Sequence, residues 1–445
     1  MPVRSGITRG NKGTDMDRTM LRNRGAVLLL TLCLGAVTGL VIWLFLLAVS
    51  AGTRLIWDIL PQRAGLGWLI VPLCALGGLA MGLLRRRFGD YPEDLATVMG
   101  KVRREKHYDY RPMAVILLCA LLPLIFGASV GPEAGLTGIV TALCYWVGDN
   151  VTYAKRNAAL YSELGKAVAL GQIFHAPLFG ILAVEEEPGE KSDPPALPKP
   201  WKLVLYGLST SAGFGVISLL NHLFHRSTEG FPSFPSVAIH PADYAALLLY
   251  LPVGILLYIL FRAAEAGTEQ AARHVPPILR ETLCGTGIGL VGVFVPAALF
   301  SGEEEMAALI QNGGPAPWRL IGLCLLKLGL TSFCLSFGMK GGNFFPLIFA
   351  CTCMGMALAG LVFPETAEHA AFAAGTVTAA ALGSQMRKPL AVSALLLLCF
   401  PARLLFWMFL AAALGGRIAQ LLERRDQRPT MPADAVLEEH TMRSL

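Results

Sequence analysis

Apolar runs separated by short polar connectors extend along this chain from residue 25 to about 413. The runs fall at 25–52, 66–84, 112–130, 135–147, 164–184, 203–220, 242–262, 283–300, 317–337, 344–363, 370–384 and 389–414. A helix needs about 20 apolar residues to cross a bilayer, and several runs reach that length. Others, such as 135–147 and 370–384, fit only as half-helices. Gly or Pro interrupts many of them, at Pro123, Gly135, Pro177, Gly180, Pro346 and Pro389. Broken helices at membrane depth are tolerated only where protein buries them or a cavity is lined by them. The pattern predicts an all-α polytopic membrane protein with tilted, broken and re-entrant helices, an arrangement common in transporters.

Composition sharpens this reading. Only 15% of the 445 residues are charged and the mean hydropathy is +0.56, whereas a soluble domain carries about 25% charged residues. The first run follows basic residues and ends in "AVSA", yet it is far longer than the apolar region of a signal peptide, so it reads as a first spanning helix. Residues 1–24 carry six Arg and Lys and residues 85–111 carry eight, against two in the loop 53–65. The excess of basic residues predicts that both basic segments, and with them both termini, are cytoplasmic. It gives no reason to expect a nucleic-acid partner. We therefore expect a basic tail at 1–24, one membrane domain at 25–422 and a tail at 423–445 with no regulatory domain. Polar seams at 186–202 and 221–241 divide the membrane domain into halves of about 25–220 and 242–422. The ten cysteines form no CxxC pair, and no zinc or P-loop motif occurs; neither a metal nor a cofactor is expected.

Three glycine-rich breaks carry the candidate chemistry: "FGDYPED" (88–94), "GASVGPEAGLTGIV" (127–140) and "GMKGGNFFPLIFACTCMG" (338–355). The second and third run directly into apolar helical stretches. A helix N-terminus presents free N–H groups and roughly half a positive charge, which suits an anion. One such end in each half predicts a pseudo-symmetric anion site. Glu133 lies at the second break. A carboxylate facing lipid at mid-membrane costs on the order of 2.5–3.5 kcal/mol, so Glu133 is expected to face a polar cavity or partner. There it can occupy the place of a permeant anion and leave it when protonated. A helix-capping role is the plainer alternative. The acidic run Glu185, Glu186 and Glu187 reads as a solvated membrane edge or as a point of proton entry.

Other charges have simpler accounts. Lys166, Lys327 and Arg387 read as snorkelling or end-anchoring residues, His175 as a packed histidine, and Lys340 as a source of positive field beside the third break.

In their order along the chain, "GPEAG" (131–135), "HAPLFGILAVEEE" (175–187), "GGNFFP" (341–346) and "RKPL" (387–390) resemble the CLC family of chloride channels and proton/chloride antiporters, over roughly residues 25 to 422. The resemblance implies a CLC-like inverted-repeat fold, a homodimer with an anion pathway in each subunit, and residence in a cell membrane, for a bacterium the inner one. It implies that Glu133 is the gating and outer proton-transfer glutamate, and that Glu187, or Glu186 one position before it, is the inner proton-transfer glutamate. Backbone amides of Gly89, Ala134, Asn343 and Phe344 would bind the anion, chloride or fluoride. Three departures stand out. "GPEAG" replaces the family's G-K/R-E-G-P, Gly89 stands where the family's first motif has a serine, and no Tyr follows Tyr258 to supply the family's tyrosine ligand.

The leading expectation is thus transport of a small anion, with or without coupling to protons. A passive channel of the same fold is the runner-up, and the two differ in kinetics rather than in residues. A non-transporting member is a third reading. An intramembrane enzyme finds no HExxH, no paired aspartates and no serine nucleophile with a plausible histidine.

Overall fold

The computed structural model describes residues 12–93, 97, 98, 101, 105, 107–150, 171, 172, 174, 176–185, 199–225, 232–235, 239–364 and 368–426. The chain is helical, and among the described residues its sole strand-type pairing is a bridge between Gly131 and Gly342. In order, the helices are α1 (Lys12–Thr53), α2 (Ile70–Phe88), α3 (Met113–Ile125), α4 (Glu133–Asn150), α5 (Pro177–Glu185), α6 (Lys199–Leu223) and α7 (Pro241–Arg273). They are followed by α8 (Pro277–Phe294), α9 (Glu303–Asn312), α10 (Pro317–Ser336), α11 (Phe344–Val362), α12 (Ala370–Met386), α13 (Pro389–Leu396) and α14 (Leu405–Asp426). By length and composition, seven helical stretches among the described residues are able to cross a membrane.

Proline sets several boundaries. It fixes φ and lacks an N–H, so it is tolerated in a first turn and disruptive further in. Pro277 and Pro389 stand at the first positions of α8 and α13. Pro401 divides what reads in sequence as one run, 389–414, into the eight-residue α13 and the longer α14. The short helices behave as helices buried in protein should: α12 is buried from Ala371 to Ser384. Even the span-length α11 has 72% of its apolar window covered.

Two compact units share the chain. The first comprises Met1–Phe231, Ala271–Ser301 and Cys334–Asn343, and the second Pro232–Gln270, Gly302–Phe333 and Phe344–Leu445. In the first, α2 and α8 run antiparallel with their backbones in near contact. A Cβ on Gly78 would lie 2.1 Å from the Glu281 carbonyl oxygen, and one on Gly285 would lie 2.1 Å from that of Cys74. In the second, α12 and α14 meet in the same way, through Gly383 against Ala412 and Gly415 against Ala380. Lipid tails give apolar helices no hydrophobic reason to associate, so close packing through small residues does that work in a membrane.

Gly78→Leu or Gly285→Leu should therefore lower stability by at least about 1–3 kcal/mol through overpacking. Gly207→Leu on α6, which meets nothing within 4 Å, should not. Thermal melting of the purified protein in detergent checks this; a parental melting curve for Gly285→Leu would contradict the close approach of α2 and α8.

Candidate functional site

The second break is a buried loop. After α3, the chain from Gly127 to Val130 is enclosed, with Gly127 at φ +78°. A Cβ there would lie 2.4 Å from the Trp57 ring, whose Nε1 donates to the Ile125 carbonyl at 3.1 Å. Buried backbone needs partners, and this loop finds them both within itself and, through the Gly127 carbonyl, on Phe300 N–H at 3.3 Å. Ala128 N–H donates to Pro123 O at 2.9 Å and Val130 N–H to Ala128 O at 2.8 Å. Gly131 then pairs with Gly342 of the third break, with N–H to O distances of 2.7 and 2.8 Å in the two directions.

Helix α4 begins at the end of this loop. Its first helical hydrogen bond runs from Leu136 N–H to Pro132 O, 3.0 Å, so the amides of residues 133–135 belong to the open first turn. Pro132 sits where a missing N–H costs the helix nothing. The Thr137 hydroxyl donates to the Glu133 carbonyl at 2.6 Å.

Glu133 is only 1% exposed. Its carboxylate folds back over the glycine bridge, such that a Cβ on Gly131 would lie 2.0 Å, and one on Gly342 1.7 Å, from Glu133 Oε2. Both bridge residues must lack a side chain for the acid to rest there. The expectation that Glu133 avoids lipid is met by enclosure against backbone. Ala134, next in the helix, is likewise buried.

The third break joins the first as well. Lys340 donates to Asp90 Oδ2, and Arg85, in the last turn of α2, donates to Asp90 Oδ1. Arg85 also donates to Glu281 Oε1, and Arg280 Nη2 approaches the same oxygen at 3.3 Å. Burial alone would raise the pKa of Asp90, but the hydrogen bonds and charges of Lys340 and Arg85 outweigh it and hold the pKa below the ordinary carboxylate value. Residues of all three glycine-rich breaks thus meet within the first unit: the second with Gly342 of the third through backbone, the first with Lys340 of the third through charge.

Gly89 explains its own departure from the family's serine. It ends α2 with φ +106° and ψ −176°, in the range of φ that favours glycine. A Cβ would have room, meeting nothing nearer than Tyr91 Cε2 at 3.7 Å. Backbone conformation, rather than crowding, is what disfavours a serine here. Asn343 directly follows the bridge and Phe344 opens α11. Glu186, Glu187, Lys166 and His175 lie outside the described residues. Lys327 does not snorkel: it is fully buried, with Nζ 5.3 Å from the Phe349 ring centroid. Sequence reasoning passed over Glu281, a buried acid in α8. Its signal was a carboxylate at the head of a glycine-patterned apolar helix, a placement expensive enough to require a partner.

A sequence model described as "Voltage gated chloride channel" matches residues 77–420. The chain belongs to this family. Among curated relatives, it is 23% identical to "Chloride channel protein CLC-e" of Arabidopsis thaliana over 374 residues, 76% of this chain and half of that one. It is 26% identical to the "H(+)/Cl(-) exchange transporter ClcA" of Salmonella typhimurium over 407 residues, 85% of this chain and 82% of that one. Among solved structures, a CLC-type fluoride/proton antiporter superposes with TM-score 0.70 at 19% identity, covering 89% of this chain and 95% of that one. A slow cyanobacterial Cl−/H+ antiporter gives 0.72 at 18% identity, covering 91% and 98%. The fold is the CLC fold, as the motifs implied, and the chain is a multi-pass integral membrane protein.

The fit of the carboxylate over the bridge can be tested by a mutant cycle. Gly342→Ala should destabilise by about 1–3 kcal/mol, and adding Glu133→Ala should recover most of that loss, since it removes the two atoms nearest the new methyl group and leaves the residue-133 Cβ at 3.0 Å. Melting temperatures of the four proteins measure the coupling; strictly additive losses would show that the methyl group collides with something else.

Proposed function

We propose that this protein transports a small inorganic anion, chloride or fluoride, across the membrane in exchange for protons, with Glu133 as gate and outer proton carrier. One observation carries the reading: a buried carboxylate at the open first turn of α4, seated over a bridge of two glycines. A helix N-terminus favours negative charge, and Glu133 supplies that charge from the protein itself. Once protonated, the side chain loses its attraction to the helix end, and a permeant anion takes its place. Each departure and return then moves one proton while an anion passes.

The remaining roles follow from the family resemblance. The amides of Ala134, Asn343 and Phe344, with the Gly89 backbone, serve as anion ligands. Glu187 is the inner proton-transfer residue, with Glu186 as the alternative. The protein acts as a homodimer in a cell membrane with both termini cytoplasmic and needs no cofactor. The exchange activities for which the Salmonella relative and the two structural neighbours are named favour exchange over a passive channel.

Purified protein in liposomes tests the proposal. An anion gradient should drive protons uphill; Glu133→Gln or Glu133→Ala should abolish proton movement and alter anion flux. Glu187→Gln should remove proton coupling while sparing anion flux. Unchanged proton-coupled flux in Glu133→Gln would rule out the gating role.

A further inference from the structure

The junction of the first and third glycine-rich breaks holds five charged groups that the gate does not use. Arg85 lies between two acids: Nη1 on Glu281 and Nη2 on Asp90. Lys340 holds the other oxygen of Asp90. Arg280 adds a second contact to Glu281. Three cations face two carboxylates, leaving the cluster one positive charge in excess.

The two acids differ in freedom. Glu281 is 1% exposed, on the rigid α2–α8 contact, and two cations neutralise it. A Cβ on Gly338 would lie 2.3 Å from Arg85 Nη1 and 2.6 Å from Glu281 Oε1, so the loop backbone closes over this pair. The Glu281–Arg85 pair is therefore a fixed support that aims the other end of the guanidinium outward. Asp90, by contrast, has a side chain 57% exposed and sits on a connector just past the helix end. Ion pairs of exposed groups are weak, since water and salt compete for both partners. Asp90 is a carboxylate held by one oxygen on a guanidinium and the other on an ammonium, and water can reach it. Both cations only donate hydrogen bonds, so whatever replaces Asp90 must accept them, and among acceptors an anion also restores the displaced negative charge.

The cluster also has a meaningful place. Asp90 adjoins Gly89, which stands at the family's anion-ligating serine, and Lys340 lies two residues before the bridge residue Gly342. We propose that Arg85 and Lys340 form a second anion site, in which Asp90 is a tethered carboxylate that a small monovalent inorganic anion displaces. Resting on the transport reading above, this deepens it: the anion exchanges with one carboxylate at the bridge and with another at this junction. The positive excess replaces the hydroxyl lost at Gly89 as the local attraction for anions.

The test exploits the fact that two substitutions break the same ion pair from opposite sides. In liposomes, chloride and fluoride efflux are measured against anion concentration for the full chain, D90N, K340Q and K340R. If the anion competes with Asp90, D90N should lower KM and K340Q should raise it, each by roughly three- to tenfold. K340R should recover most of what K340Q loses. Added impermeant salt should shrink both shifts. A purely structural pair predicts that D90N and K340Q shift KM the same way and lose similar thermal stability. Chloride and fluoride titration calorimetry on the same detergent-purified proteins separates this site from the transport reading. If the parent passes no anion, but D90N binds chloride more tightly and K340Q more weakly, the site stands and the transport reading falls. Should K340Q not fold, K340M gives the same comparison. Shifts in one direction for both variants, or none in either assay, overturn the proposal.

Discussion

The two hydrogen bonds between Gly131 and Gly342 are the constraint on which the site depends. They join residues far apart in sequence, bring the head of α4 against the loop that leads into α11, and leave the face of both glycines open. Backbone hydrogen bonds inside a membrane are strong because no water competes for them. The positions must be glycine for a second reason: the volume of a Cβ on either residue is already taken by the Glu133 carboxylate. Pairing the strands and seating the acid are therefore one requirement, met by the same two residues.

Electrostatics follow from that placement. A buried carboxylate is costly unless compensated, and the open turn of α4 offers amides and the positive end of a helix dipole. Backbone dipoles attract any small anion, which is what the proposed exchange of the resident carboxylate for a passing ion requires.

Much of this was legible in the sequence. Apolar run lengths with interrupting Gly and Pro fix the class of fold, and lone Glu133 among glycines marks the candidate site, because a carboxylate in an apolar run needs a physical reason. What the sequence does not show is pairing between distant segments. Nothing in "FGDYP" or "GMKGG" indicates that Asp90 and Lys340 meet, since ion pairs leave no periodicity. Glu281 was passed over for a related reason: its partner Arg85 sits at the end of another helix, where a basic residue already has an ordinary explanation as a topology signal. The break at Pro401 was hidden by uniform hydrophobicity around it, even though proline is the usual stop signal. Lys327 misleads in the opposite direction: a lysine in an apolar run reads as snorkelling, and only packing shows that its stem never leaves the interior.

Gly89 connects local backbone to the chemistry available at the site. A serine hydroxyl recognises an anion by a directed hydrogen bond of defined reach. At φ +106° an L side chain is strained, so reinstating the hydroxyl would require remaking the end of α2 as well as changing one residue. That helix end is also where Arg85 is pinned by Glu281 and Asp90 is positioned to meet Lys340. The same local geometry that excludes a hydroxyl thus places Asp90 between a pair of cations, Arg85 in the last turn of α2 and Lys340 from the third break. Attraction by net charge depends on distance and screening far more than on ion radius. On the proposal above, such a junction favours entry of small anions as a class and leaves the choice among them to the backbone amides nearer the bridge.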